Sequence, residues 1–363
     1  MLRLCVRSRV RQYVNELPDS LDETYERVLK GIPKTNQGHV RRLLQCLAVA
    51  IRPLHVGELA QILTFDPTGI KGGVELLDAD SQLSDQEQEL LSTCPSLITI
   101  VGRLGSRVVQ FSHFSVKEYL TSGRLSTSNE DISRYHILAD DAHTTIARAS
   151  LEVLLHLDDR MDSLNAMYAA EHWVSHAQVA NTSSRVMHAM ETLFDLSKPH
   201  FAAWVRIHDM DKIKWGRFRN TTAKPLYYAA LCGFYNLVEH LVKKHPEHLN
   251  ALGGQLEYPL VAALFEGHSQ VANLLLQHGA NLEGRGIYEQ TPLHQAIGRF
   301  KDTPFGVVRF LLEHGADANA QQWELSTPLH LAVTLGNEKV AHILLQRRVN
   351  VNSQGVLSGF CSV

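Results

Sequence analysis

The chain has 363 residues, 44% of them hydrophobic and 20% charged, with a formal net charge of -3. That length exceeds one comfortable core and predicts two or three domains. The near-neutral balance excludes strong long-range attraction to nucleic acid or to an anionic membrane. The five cysteines (Cys5, Cys46, Cys94, Cys232, Cys361) are scattered and odd in number, which argues against a disulfide framework and fits a reducing compartment.

The N-terminus, MLRLCVRSRVRQYV, is arginine-rich without a sustained apolar run, so it reads as a basic helix start rather than a signal peptide. Leu17-Pro18-Asp19-Ser20-Leu21 leads into a predicted helix over residues 23–30, with Tyr25, Val28 and Leu29 at helical spacing. A second helix is predicted over residues 40–51, its apolar face including Leu43, Leu44 and Leu47, and stops at Arg52-Pro53. A third follows over residues 56–63. Residues 43–51 form the most apolar stretch and are too few to span a membrane. An acidic loop over residues 66–88 precedes two β-like runs, residues 97–101 and 107–111, joined by a glycine-bearing turn. Ser115 with Glu118 three residues on predicts a capping box that opens the next helix. Helices followed by a two-stranded wing read as a winged-helix domain over residues 39–125.

Residues 133–208 have a helical pattern. His172 and His176 stand four apart, a metal-ligand spacing, but no glutamate of an HExxH motif lies between them and no third ligand is evident. Tyr168, Ala169, Ala170 and Trp173 around them favour a packed helix. Residues 209–223 are charged and aperiodic and are expected to be a linker.

The last third is periodic. Pro225-Leu226, Pro259-Leu260, Pro292-Leu293 and Pro328-Leu329 recur at intervals of 34, 33 and 36 residues. Alanine stands four positions after each proline (Ala229, Ala263, Ala296, Ala332), and glycine eight after three of them (Gly233, Gly267, Gly336). About three extra residues over 299–306 lengthen the third interval and displace its glycine. Proline suits the first turn of a helix, small alanine permits close helix packing, and glycine supplies the left-handed residue that ends a helix. Thr291-Pro292-Leu293-His294, Thr327-Pro328-Leu329-His330, Gly279-Ala280-Asn281 and Gly315-Ala316-Asp317 resemble the ankyrin repeat. About four repeats are expected over residues 224–363.

The resemblance implies that His294 and His330 stitch neighbouring turns by hydrogen bonds and are not catalytic. Tyr227 and Val261 take that place in two degenerate repeats, and His245-Pro246 and Arg348-Val349 replace Gly-Ala at two repeat ends. It also places variable, partner-facing positions on the finger hairpins and inner-helix ends. Here these are Phe265, Glu266, Arg285, Tyr288, Gln290, Arg299, Trp323, Glu324, Thr334 and Leu335. The alternative for Trp323 is that it folds back on its own hairpin. The last helix, with Val340, Ile343, Leu344 and Leu345, reads as lacking a polar cap, so a partner is expected to cover it or the array to be a truncated one.

LPDSLDETYERVL, RPLHVGELAQIL and VVQFSHFSVKEYL resemble the region that follows the nucleotide-binding NACHT module of fungal NLR-like (STAND) proteins, where ankyrin repeats often come next. That resemblance makes residues 1–38 the helical tail of such a module. It implies that the repeats sense a ligand and the winged helix relays it. His113 falls where related switch proteins carry a histidine that senses bound nucleotide diphosphate, but the chain has no GxxxxGK[ST] loop, which favours a structural role.

The expected fold is therefore mostly α: a winged helix with a small hairpin, a helical middle segment and an ankyrin solenoid. The expected function is non-catalytic protein binding, without cofactor or metal, in the cytoplasm or alternatively the nucleus. A NACHT-bearing protein acting in trans is one expected partner, and no membrane is. A truncated, non-functional gene product is one alternative. The other is DNA binding by the winged helix through Arg41, Arg42, Arg52, Arg103 and Arg107, which Glu58, Asp66 and the acidic loop oppose.

Overall fold

The computed structural model describes residues 20–64, 88, 90–94, 96–102, 107–126, 129–157, 165–179, 182–211, 223–298, 305–323, 326–347 and 349–353. It divides into two compact units, residues 1–208 and residues 209–363.

In the first unit, Ser20 starts α1 (Leu21–Lys30) by accepting the Glu23 N–H at 3.2 Å, with Asp22 and Glu23 in the first turn, where negative charge suits the helix dipole. Next come α2 (Gln37–Val49), the two-residue strand β1 (Leu54–His55) and α3 (Val56–Thr64). Strands β2 (Ile98–Val101) and β3 (Val108–Phe111) form the expected hairpin, in the register Ile98↔Phe111 and Val101↔Val108. The short segment after Arg52-Pro53 adds Leu54 opposite Val109, so the sheet is antiparallel with order β1-β3-β2. Leu43, Leu44, Leu54, Leu59, Val109, Val116 and Ile146 are fully buried in one core that joins this sheet to its helices. Each such aliphatic side chain contributes about 1.5–3 kcal/mol by leaving water.

The helix after the hairpin, α4 (Phe114–Thr121), starts two residues earlier than the sequence predicts, and its cap is different. His113 is the N-cap, accepting the Ser115 N–H on its ring at 3.3 Å. Ser115 therefore lies inside the helix. Its hydroxyl is held 2.6 Å from both His113 Nδ1 and the Tyr25 hydroxyl of α1, so it is not available as a cap. Short helices α5 (Gly123–Ser126) and α6 (Glu130–Ser133) lead to the long α7 (Ala139–Leu155) and to α8 (Met167–Ala177). Then come α9 (Thr182–Arg185), α10 (Met187–Leu193) and α11 (His200–Ile207). Trp173 and Trp204 are fully buried, with ring centres 5.3 Å apart edge to face, and the Trp204 indole N–H donates to the Ala170 carbonyl.

A buried polar network crosses this unit. The carboxylate of Glu58 is 2% exposed and accepts both guanidinium nitrogens of Arg52, at 2.6 and 2.8 Å, together with the backbone N–H groups of His55 and Tyr168. The Tyr168 hydroxyl accepts the Ile51 N–H and lies 2.8 Å from Nε2 of His176, whose Nδ1 is 2.8 Å from Nδ1 of His143. The assignment that satisfies each atom has Tyr168 donating to His176 and His176 donating to His143. Burial pulls His176 down to about 3, so it is neutral at physiological pH. His176 is thus a core hydrogen-bonding group, as its packed surroundings suggested, and His172 lies beside Glu171 rather than sharing a site with it.

Among the described residues of the second unit four helix pairs repeat. They are α12 (Pro225–Cys232) with α13 (Tyr235–Lys244), α14 (Pro259–Phe265) with α15 (Ser269–Gln277), α16 (Pro292–Gly298) with α17 (Phe305–Glu313), and α18 (Pro328–Thr334) with α19 (Glu338–Gln346). Each first helix opens on the predicted proline. Gly233 ends α12 at φ 73°, a left-handed conformation that needs no Cβ. The alanines at the fourth position, Ala229, Ala263, Ala296 and Ala332, are all fully buried, which lets neighbouring helices approach closely.

Candidate functional site

The repeats project hairpin fingers, and each described finger is closed by one backbone hydrogen bond at the same register: Gly253 to Glu257, Gly286 to Gln290, and Gln322 to Ser326, each 2.9 Å. Below them the histidine stitch forms as the repeat pattern requires. His294 is fully buried; its Nδ1 meets the Thr291 hydroxyl at 2.8 Å and its Nε2 meets the Ser326 carbonyl of the next finger at 3.2 Å. Burial lowers its pKa to about 4 and keeps the ring neutral. His330 pairs with Thr327 in the same way, completing a capping box.

The degenerate first repeat replaces this stitch with a different one. The Tyr227 hydroxyl donates to Asp211 Oδ1 at 2.6 Å and accepts the Leu256 N–H at 3.1 Å, while Asp211 Oδ2 accepts the Gln255 N–H at 2.7 Å. Tyr227 and Asp211 are 1% and 2% exposed, so a buried carboxylate and phenol do what the imidazole does elsewhere. Asp209 likewise accepts the Tyr228 hydroxyl at 2.7 Å. These two aspartates come from the segment whose composition reads as a linker; residues 212–222 of that segment lie outside the described residues.

Two of the expected partner-facing residues meet across neighbouring fingers. Tyr288 and Trp323 are 52% and 65% exposed, and their rings stack with centres 5.9 Å apart and planes 15° from parallel. Arg285 ties the same two fingers together by donating to the carbonyls of Glu289 and Gln321. Trp323 therefore does not fold back on its own hairpin; it leans on the finger before it. Tyr288 and Glu289 sit at φ 63° and 57°, left-handed conformations that cost a non-glycine residue about 1–3 kcal/mol. Periodicity could not have shown this pairing, because a repeat period places residues on fingers without giving the backbone conformation there.

The other expected residues are more dispersed. Phe265 and Glu266 are half-buried at the end of α14, and Gln290 is half-buried at the base of its finger. Thr334 and Leu335 lie exposed at the end of α18 beside the 65% exposed Val333, and the Thr334 hydroxyl donates to the His330 carbonyl. Arg299 and Glu324 lie outside the described residues. His113 is exposed and committed to capping α4. Of the arginines considered for DNA, Arg52 is engaged with Glu58 and Glu171, Arg42 donates to the Leu63 carbonyl, and Arg103 lies outside the described residues. Cys46 and Cys94 are buried thiols that burial pushes up to about 12, unsuited to nucleophilic work. No helix among the described residues is long and apolar enough to cross a membrane.

Comparison with known proteins agrees with the repeat geometry. The family of ankyrin repeats (3 copies) matches residues 226–322 and again residues 286–355. The C-terminal region therefore consists of ankyrin repeats. The chain is also similar to the azaphilone pigments biosynthesis cluster protein L of Monascus ruber, with 28% identity over 297 residues that cover 74% of this chain and 61% of that protein. The chain thus spans about three fifths of the length of that relative.

Proposed function

We propose that the chain is a non-catalytic protein-binding component, and that the exposed aromatic shelf of Tyr288 and Trp323 anchors its partner. Ankyrin repeats serve protein–protein interaction, and the observation that carries the proposal is the stacked, outward-facing pair held by Arg285. A rigid aromatic surface loses little side-chain entropy on binding, and aromatic and arginine residues are the commonest energetic anchors of interfaces. Phe265, Glu266, Gln290, Thr334 and Leu335, with Arg299 and Glu324, complete the proposed contact surface.

We further infer an NLR-like origin for the first unit. The order helix, strand, helix, hairpin supports reading residues 39–125 as a winged helix that follows a NACHT-type module, with a NACHT-bearing protein as one partner class. In this reading His113 keeps a structural place as a helix cap rather than sensing a nucleotide. The engagement of Arg42 and Arg52 inside the unit weighs against groove binding to DNA. The name of the similar Monascus ruber protein refers to a pigment-biosynthesis cluster and indicates no reaction, so the binding proposal rests on the shelf. The test is capture of a partner by the full chain and its loss when both aromatic residues are replaced by alanine.

A further inference from the structure

The end of the first repeat departs from its neighbours. Where the second and third repeats close on Gly279-Ala280 and Gly315-Ala316, this one runs His245-Pro246-Glu247-His248. His245 caps α13 with its N–H on the Leu241 carbonyl, and Pro246–His248 then forms a single tight turn closed by the His248 N–H on the His245 carbonyl at 3.0 Å. Residues three apart eclipse in such a turn. The two imidazoles accordingly stack with centres 5.1 Å apart. Glu247 reaches both: its carboxylate is 3.2 Å from His245 Nδ1 and 3.7 Å from His248 Nε2. One nitrogen or oxygen from each of the three lies within 4.8 Å of the others, the closest such grouping among the described residues.

We propose that His245, Glu247 and His248 bind one divalent transition-metal ion, zinc by preference, with a fourth position open to water. A tetrahedral ion with bonds of about 2.0–2.1 Å has ligand-to-ligand edges of roughly 3.3–3.4 Å. The two edges to Glu247 bracket that value, and the third closes by a small rotation of the half-buried His245 ring against the buried His248. Two imidazoles and one carboxylate suit zinc better than the hard cations calcium and magnesium, which take oxygen ligands. The positive charge of Lys224 acts on this corner and opposes a dication, so the expected affinity is weaker than that of a structural zinc finger. The ion would clamp the turn that replaces the glycine end of this repeat, so binding would raise the stability of the array.

The experiment uses the metal-stripped full chain, titrated with zinc by calorimetry and with cobalt(II) as a spectroscopic substitute. The wild type is compared with Glu247→Gln and with the double variant His245→Asn, His248→Asn. Glu247 is exposed, so its substitution leaves folding intact and decides the matter even if the double variant does not fold. The expected result is one ion per chain, affinity about ten-fold or more weaker in Glu247→Gln, and no saturable binding in the double variant. The cobalt spectrum should lack a thiolate charge-transfer band. No saturable binding by the wild type, undiminished binding by Glu247→Gln, or a thiolate band would each overturn the proposal.

Discussion

Replacing Tyr227 with phenylalanine isolates the device by which the degenerate first repeat holds the next finger. The ring and its packing remain, and one hydroxyl is lost. That oxygen makes two buried hydrogen bonds, one to the Asp211 carboxylate and one from the Leu256 N–H. A hydrogen bond to a charged group contributes about 1.5–3 kcal/mol, and a buried N–H left without a partner costs about 1–3 kcal/mol. Asp211 keeps the Gln255 N–H, which tempers the first loss. The expected destabilisation is therefore about 2–4 kcal/mol rather than the sum of the extremes. Native-state amide exchange reads it locally, which matters because a chain of two units need not unfold as one. Exchange at Leu256 should accelerate about 30-fold or more, since about 1.4 kcal/mol corresponds to ten-fold. A change below about 0.5 kcal/mol, with Leu256 still protected, would refute the idea that the phenol–carboxylate pair substitutes for the histidine stitch.

Arg52→Met should destabilise the first unit by about 3–5 kcal/mol in urea unfolding, because it strands the Glu58 carboxylate in the core; Arg52→Met with Glu58→Gln, which removes the charge but keeps an oxygen to accept from the His55 and Tyr168 N–H groups, should recover part of that loss. Acid should also weaken this unit. The pKa of His176 is depressed on folding, so the unfolded chain binds the proton first. Stability is full above the unfolded value near 6.5 and falls as pH drops toward about 3. One such group costs about 1.4 kcal/mol per pH unit, hence about 2 kcal/mol by pH 5, and His176→Gln should flatten that slope in denaturation curves taken between pH 7 and 5.

The sequence made the solenoid plain because its constraints are local and recur: proline at a helix start, alanine at a close contact, glycine at a left-handed helix end. The hairpin was legible for a similar reason, since two short runs rich in β-branched residues flank a glycine-bearing turn in the sequence. Strand β1 was not, because two residues after Arg52-Pro53 show no period, and Leu54 becomes a strand only by pairing with Val109. The cap of α4 was misread as Ser115 because the pattern with Glu118 is local, while the Ser115 hydroxyl is claimed by Tyr25, 90 residues earlier. Among the expected contact residues, the finger position of Tyr288 and Trp323 was legible. Their stacking was not, because a repeat period carries no sign of the left-handed backbone at Tyr288 or of Arg285 spanning two repeats. His245-Pro246 was visible as a departure from Gly-Ala, but only the tight turn brings His245 and His248 together around Glu247.

The most direct test of the binding proposal is quantitative capture from an extract of the source organism. Full-length wild type is compared with the Tyr288→Ala, Trp323→Ala double variant, both checked for fold by circular dichroism. Because the two rings are largely exposed, the variant should keep its stability within about 0.5 kcal/mol. The account predicts a protein retained by the wild type and depleted about 30-fold or more by the variant, the effect of losing about 2 kcal/mol at an interface anchor. Recovery of the same proteins in the same amounts by both folded baits would contradict it.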